Sequence, residues 1–356
     1  MTGLILRRLA QLPLILLVIY TITFVLAWLL PGNPLQNPEG RKPPPEVVEE
    51  MQRQYDLDNP WHFYTGYAAK ATGITWLRDQ FRSEKDNRQT LADINNENHG
   101  STEAGAAGNG DNRSSTVQPR KYIFYFGPSL VYKDWNVNEI IASALPVSVT
   151  LGAVAILIAL LIGLSAGIIG ALRPGTWMDL VTLSVSLIGV SLPTFVIGTV
   201  LLLLFAVWLR IVPIGGWGSV SALILPALTL SLPFAAYIAR LTRLGMIDVL
   251  QSNYIRTARA KGLPERTVIL KHALKVALLP VLSYLGPATA FAMTGSFVVE
   301  RVFYIPGIGQ HFVNAVLNKD LTLIMGVVLV YATMLILLNL LVDIMYAWVD
   351  PRIRLS

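Results

Sequence analysis

Four histidines (His62, His99, His272 and His311) and no cysteine are all that the 356-residue chain offers to a metal or a nucleophilic mechanism. The histidines are scattered and show no metal-ligand spacing. Without cysteine there are no disulfides, thiolate sites or cysteine nucleophiles. The sequence contains no HExxH, GxSxG, phosphate-cradling or dinucleotide-binding fingerprint. Asp343, beside the apolar run Leu321–Val342, is the one carboxylate that the sequence places close to a bilayer segment. An acid inside a membrane is a functional candidate by default, but so near the end of its run it also fits a structural acid that reaches the interface or pairs with an arginine. What remains is the chemistry of contact. Residues 254–280 read YIRTARAKGLPERTVILKHALKVALLP, a basic, helix-prone stretch between two apolar segments.

The composition of that stretch predicts a break between two helices. Leu244 to Lys261 is rich in Ala, Arg, Leu, Met and Lys, with no proline and no glycine after Gly245. Gly262 supplies a left-handed cap, and Arg259 and Lys261 complement the dipole of the last turn. Pro264 and Glu265 suit the first turn of the next helix. Two readings stand. The arginines lie on anionic headgroups, or the two short helices form a knob for a soluble partner. The Gly-x-Pro break and the small residues Ala258 and Ala260, which permit close approach, favour docking.

The elements that must position this knob are membrane helices. The chain is 53% hydrophobic and 14% charged, with a mean hydropathy of +0.54, too oily for an ordinary soluble domain of its size. Six segments are long enough to cross about 30 Å of hydrocarbon: Leu9–Leu30, Ile140–Leu172, Leu180–Leu209, Val220–Ala239, Val276–Val299 and Leu321–Val342. Their length excludes membrane β-strands, so the fold class is an all-α membrane protein with six transmembrane helices. The N-terminal run passes 20 residues without a small-x-small cleavage pattern before Pro31 and reads as a retained first span rather than a signal peptide.

The chain carries 28 Lys and Arg against 22 Asp and Glu. Residues 31–143 hold 12 and 15 of these, which leaves a basic excess of 16 against 7 elsewhere. That excess follows membrane topology, not nucleic acid: Arg7 and Arg8, the 240–275 cluster, and Arg352 and Arg354 fall on one side of a six-span chain. The positive-inside rule makes that side cytoplasmic, with both termini, and puts residues 31–139 and Glu300–Asp320 outside. The expected domains are a first helix at 1–30, an outer region at 31–139, a core of five helices at 140–350 with a coupling loop near 245–270, and a tail at 351–356. In the outer region a helix is expected from Pro45 through EVVEEMQRQYDL, and Asn136 or Asn138 is placed to cap the helix into span two. The stretch from Ser83 to Lys121, rich in Gly, Asn, Ser and charge, has too few large apolar residues to pack. Pro146, Pro193, Pro226, Pro233, Pro280 and Pro287 are expected to bend their spans.

YIRTARAKGL resembles the coupling loop of ABC importer permeases, in the form carried by the dipeptide/oligopeptide (peptide/nickel) branch. Other motifs occur in the matching order: RRLAQLP, LLPGNP, ALPVSVTLG, SLPTFVIG, LPALTLSLPFAAYIARLTR, TGSFVVERVFYIPGIGQ and NLLVDIMYAWVDPRIR. The resemblance implies a type I importer permease fold in the inner membrane, with no catalysis by this chain. It implies ATP and Mg on two cytoplasmic ATPase subunits, a second homologous permease, an extracytoplasmic solute-binding protein, membrane lipid around the bundle and no nucleic acid. The cargo is a di- or oligopeptide, with nickel or another small solute as the alternative. An ion-coupled secondary transporter and an intramembrane enzyme are the rivals from other classes. The residues implied to meet the ATPase are Tyr254, Ile255, Arg256, Thr257, Ala258, Arg259, Ala260, Lys261, Gly262 and Leu263. YIPGIGQ (Tyr304–Gln310) is implied to shape the outer gate, although a plain turn explains it equally well. The chain departs from the generic pattern in carrying Arg256 where the motif has glutamate, in the late Leu279-Pro280, and in a polar stretch near 72–123 that looks inserted.

Overall fold

The computed structural model describes residues 2–31, 49–50, 52–53, 55–81, 122–132, 135–294 and 296–349. They form two compact units, Pro31–Asn138 and the combination of Met1–Leu30 with Glu139–Ser356. In chain order the helices are α1 (Thr2–Leu29), α2 (Pro60–Ala71), α3 (Val137–Leu172), α4 (Trp177–Ser191), α5 (Thr194–Leu201, continued as a π-helix through Trp208), α6 (Val220–Leu250), α7 (Asn253–Ala260), α8 (Leu279–Thr294), α9 (Phe297–Val302), α10 (Ile308–Leu317) and α11 (Leu321–Val349). A connecting helix over 265–277, π-helical at Val268–Ala273, joins α7 to α8.

In the smaller unit α2 opens by local chemistry. Asn59 Oδ1 accepts the Trp61 N–H at 2.9 Å, and Pro60 sits where its missing N–H costs nothing. Phe63 and Tyr67, one turn apart, stack and are buried. The two candidate caps of α3 have other bonds. Asn138 lies inside the helix, donating to the Phe124 carbonyl and accepting the Phe126 N–H, and Asn136 Oδ1 accepts from the Tyr125 hydroxyl. The helix expected from Pro45 and the polar stretch after Ser83 fall largely or wholly outside the described residues.

In the larger unit five helices are long and apolar enough to span a membrane, and α4 with α5 makes a sixth segment bent by 109°. The expected span Leu180–Leu209 is present as this bent pair, and the bend expected at Pro193 is far sharper than a kink. The break falls at Leu192-Pro193, where Leu192 is extended (φ −82°, ψ 133°), as a residue before proline prefers. Pro146, Pro226, Pro233 and Pro287 lie inside continuous helices. Contacts along α6 step one way as α4 and α5 advance. Asp179 bonds Arg243, Gly189 packs on Ala236, and Gly198 packs on Thr229. The bent pair thus travels along α6 without doubling back, as a broken span would.

Two other expectations shift. α6 runs on to Leu250, past Arg240 and Arg243, and the break before the knob falls at Gln251–Ser252. Ser252 is a poor interior residue, and its hydroxyl turns back to the Val249 carbonyl at 2.6 Å. Glu300–Asp320, expected as a loop, contains the end of α9 and all of α10, with Phe303, Ile305 and Ile308 fully buried. The core forms where α3, α6 and α8 meet. Leu151, Ala155, Ala159, Leu230, Ile238 and Ala288 belong to one buried cluster. Backbones approach closely there. A Cβ on Gly163 or Gly167 would lie 2.7 Å from the Ala235 carbonyl oxygen or 2.6 Å from that of Ala239. Small residues drive such crossings in lipid, where apolar side chains gain little by leaving the hydrocarbon.

Candidate functional site

Helix α7 is short, polar outside and apolar beneath. Ile255 is fully buried and Ala258 nearly so, three residues apart on one face, while Tyr254, Arg256, Thr257, Arg259, Ala260, Lys261, Gly262 and Leu263 are exposed. The buried pair joins a cluster with Ala171 at the end of α3, Met246 on α6, and Val268, Ala273 and Ala277 on the connecting helix. Burying Ile255 is worth about 2 kcal/mol, and its neighbours fix α7 to three helix ends at once. Ala258 is thus an internal anchor, and close approach from outside is left to Ala260.

The break after α7 is a Schellman cap. Gly262 adopts φ +74°, its N–H donates to the Arg259 carbonyl at 2.9 Å, and the Leu263 N–H donates to the Ala258 carbonyl at 3.4 Å. Pro264 then precedes the next helix as its cap residue. Arg259 closes the knob from outside through Nε and Nη2 to Glu265, at 3.2 and 2.6 Å. The guanidinium holds the Glu265 carboxyl below its ordinary value, and the carboxylate raises Arg259. Both side chains remain largely exposed. Arg256, Lys261 and Arg266 leave further positive charge on the same surface.

Above the knob lies a buried ion pair that sequence reading missed. Arg243 of α6 donates from Nε and Nη2 to Asp179 of α4, the second bond at 2.8 Å, and the Gly175 N–H adds a third donor at 2.9 Å. Asp179 is 3% exposed. The pair ties the start of α4 to α6 about two turns before α6 ends at Leu250. Its partners stand 64 positions apart, so no local pattern announces them.

A second missed carboxylate organises α9 and α10. Glu300 is fully buried. Its Oε1 accepts from the Ser148 and Ser296 hydroxyls at 2.6 Å each, and Oε2 accepts the Gln310 N–H at 3.3 Å. Ser148 Oγ in turn accepts the Ile308 N–H at 2.9 Å. Gly307, read from sequence as a turn glycine, has an ordinary φ of −93°. Glycine is required there because a Cβ would collide with the Glu300 carboxylate. Tyr304, at φ +53° and 75% exposed, makes the turn instead. Asp343 is half-buried in α11. His311 is half-buried on α10, and burial pushes its imidazole below the usual value. Among the described residues no three His, Asp or Glu side chains converge as metal ligands.

The long apolar helices make a multi-pass membrane bundle with a basic elbow anchored at the helix ends. The chain belongs to the family described as the binding-protein-dependent transport system inner membrane component, which matches residues 159–355; the corresponding N-terminal family matches residues 1–88. Residues 89–158 lie in neither match. Over 356 residues the chain is 40% identical to the oligopeptide transport system permease protein OppB of Escherichia coli strain K12, covering 99% of this chain and 100% of the relative. It is 36% identical over 340 residues to the dipeptide transport system permease protein DppB of Bacillus subtilis strain 168, covering 96% and 94%. A chain of the MetNI methionine ABC transporter in an inward-facing conformation aligns with a TM-score of 0.48 at 18% identity, covering 60% of this chain and 97% of that one. The chain is a multi-pass inner-membrane permease subunit of an ABC importer, and it is not an enzyme.

Proposed function

We propose that this subunit forms half of the translocation path of an ATP-driven peptide importer, and that α7 with its cap, residues 253–266, is where ATP hydrolysis enters the bundle. The observation that carries this is the build of the knob. Its charged side chains are exposed among the described residues, while Ile255 and Ala258 fasten it to α3, α6 and the connecting helix. A push on the exposed face reaches three helices together. The rest of the assembly in this reading is a second homologous permease, two cytoplasmic ATPases that bind ATP and Mg, and an extracytoplasmic binding protein that delivers solute. Both termini and the knob lie in the cytoplasm. The relatives' names supply the peptide cargo. Nucleotide drives the cycle because the closed ATPase pair binds it better than the open pair, and the knob converts that difference into alternate opening of the path.

The test is uptake of labelled tri- and tetrapeptides into proteoliposomes. The reading expects uptake that needs ATP, the binding protein and all permease and ATPase subunits together. Peptide accumulation by this chain alone, driven by an ion gradient, overturns it.

A further inference from the structure

One exposed face of the bundle is built unlike the others. The open surfaces of α3 and α4 are aliphatic, with Leu157, Leu161, Leu180 and Leu187 between 59% and 69% exposed, as suits lipid. The groove of about 460 Å³ inside the bend between α4 and α5 is equally aliphatic, and the hydroxyls of Thr182 and Ser186 there bond their own helix. Where α6 meets α8 the residues change. A Cβ on Gly245 would lie 2.7 Å from the carbonyl oxygen of Ala277, at the end of the connecting helix that leads into α8, which sets the register of the approach. About two turns further along each antiparallel helix, Tyr237 and Tyr284 bring their rings to 4.4 Å. Above them Phe234 and Phe291 meet edge to face at 6.3 Å, with Phe291 62% exposed. Pro280, Ser283 and Pro287 fill the rest of the exposed face of α8, and Arg240 stands one turn below Tyr237.

Neither phenol has a hydrogen-bond partner among the described residues. Hydrocarbon offers a phenol no hydrogen-bond partner and leaves it unsatisfied at a cost in free energy, so this face does not suit lipid. Building on the importer reading above, we infer that the ladder Tyr237, Tyr284 and Phe291 is the solute-facing wall of the path, and that it passes peptides by stacking and hydrogen bonding to their amide groups. Amide planes lie well on aromatic faces, and a phenol both donates to a carbonyl and accepts from an N–H. Pro287 removes the hydrogen bond that the Ser283 carbonyl would otherwise accept, opening one more acceptor beside the phenols. From Arg240 to Thr294 the face presents a positive charge and no carboxylate, which is wrong for a bare divalent cation.

The absence of native cysteine makes the test clean. Tyr284→Cys, Phe291→Cys and the neighbouring Ser283→Cys are made singly, assembled with the other subunits in proteoliposomes, and exposed on both faces to a charged, membrane-impermeant thiol reagent. Labelling is expected to be about tenfold faster than for Leu157→Cys and Leu161→Cys, and to slow when trialanine and the binding protein are added. Tyr284→Phe is expected to raise the KM for trialanine uptake about three- to tenfold. Labelling as slow as the lipid controls, or cross-linking of Phe291→Cys to the second permease, overturns the wall. If trialanine is not transported but the labelling contrast persists, the wall stands and the peptide reading fails. If trialanine is transported and the contrast is missing, the wall is wrong and the importer reading stands.

Discussion

Arg243 and Arg259 make the same bond, each reaching one carboxylate through Nε and Nη2, in surroundings that give it opposite meanings. The Arg243–Asp179 side chains are 17% and 4% exposed, and those of Arg259 and Glu265 are 43% and 54% exposed. The inner pair gave up hydration on folding, so each partner now depends on the other. The outer pair kept water, and its arginine is available to something outside the chain. Glu300 extends the contrast, a carboxylate hidden entirely and satisfied by two hydroxyls and an N–H. Hidden charge in this bundle positions helices, and the open charge of the knob is left for contact.

The contrast breaks most visibly at Arg243. Arg243→Ala strands a buried carboxylate and is expected to cost about 3–5 kcal/mol, seen as a fall in the thermal midpoint of the purified complex. Replacing both partners by apolar residues, Asp179→Leu with Arg243→Met, is expected to recover most of that loss, because no buried charge is left unpaired. Glu300→Ala leaves the Ser148 and Ser296 hydroxyls and the Gln310 N–H without their acceptor and opens a cavity. A loss of about 2–4 kcal/mol is expected in the same assay, with Glu300→Gln milder. Gly262→Ala forces a Cβ into the left-handed region and is expected to cost about 1 kcal/mol.

The smallest effect concerns Glu265. Its folded value is depressed by Arg259, so the stability it adds is present above its unfolded value of about 4.3 and lost as pH falls through the lower folded value. The midpoint difference between the native chain and Glu265→Gln should be small and flat between about pH 6 and 8. It should begin to close below about 4.3. A difference that grows on acidification contradicts the assignment.

The sequence disclosed what depends on local pattern. Long apolar runs announced the spans, and Gly262 announced its left-handed cap before a helix break. The aliphatic run Leu180–Leu209 did not disclose a 109° bend, because a proline reports a tendency to kink while its neighbours decide how far. Asp179, Arg243, Ser148 and Glu300 were illegible for another reason. Their partners come from distant helices, Ser148 and Glu300 being 152 positions apart, and nothing in the short-range pattern marks a charge as hidden. Within the knob itself, the sequence marked Tyr254 to Leu263 as one stretch without telling its faces apart, and the inward turn of Ile255 and Ala258 emerged only with the helix ends beneath them.

The most direct test of the account is ATP hydrolysis by the reconstituted importer with Arg259→Glu in this subunit. That change reverses the charge of the exposed knob and leaves its buried anchor alone. The account predicts an assembled complex with an unchanged thermal midpoint whose ATP hydrolysis no longer responds to the loaded binding protein. Full stimulation by the loaded binding protein, with Arg259→Glu in place and the complex intact, would contradict it.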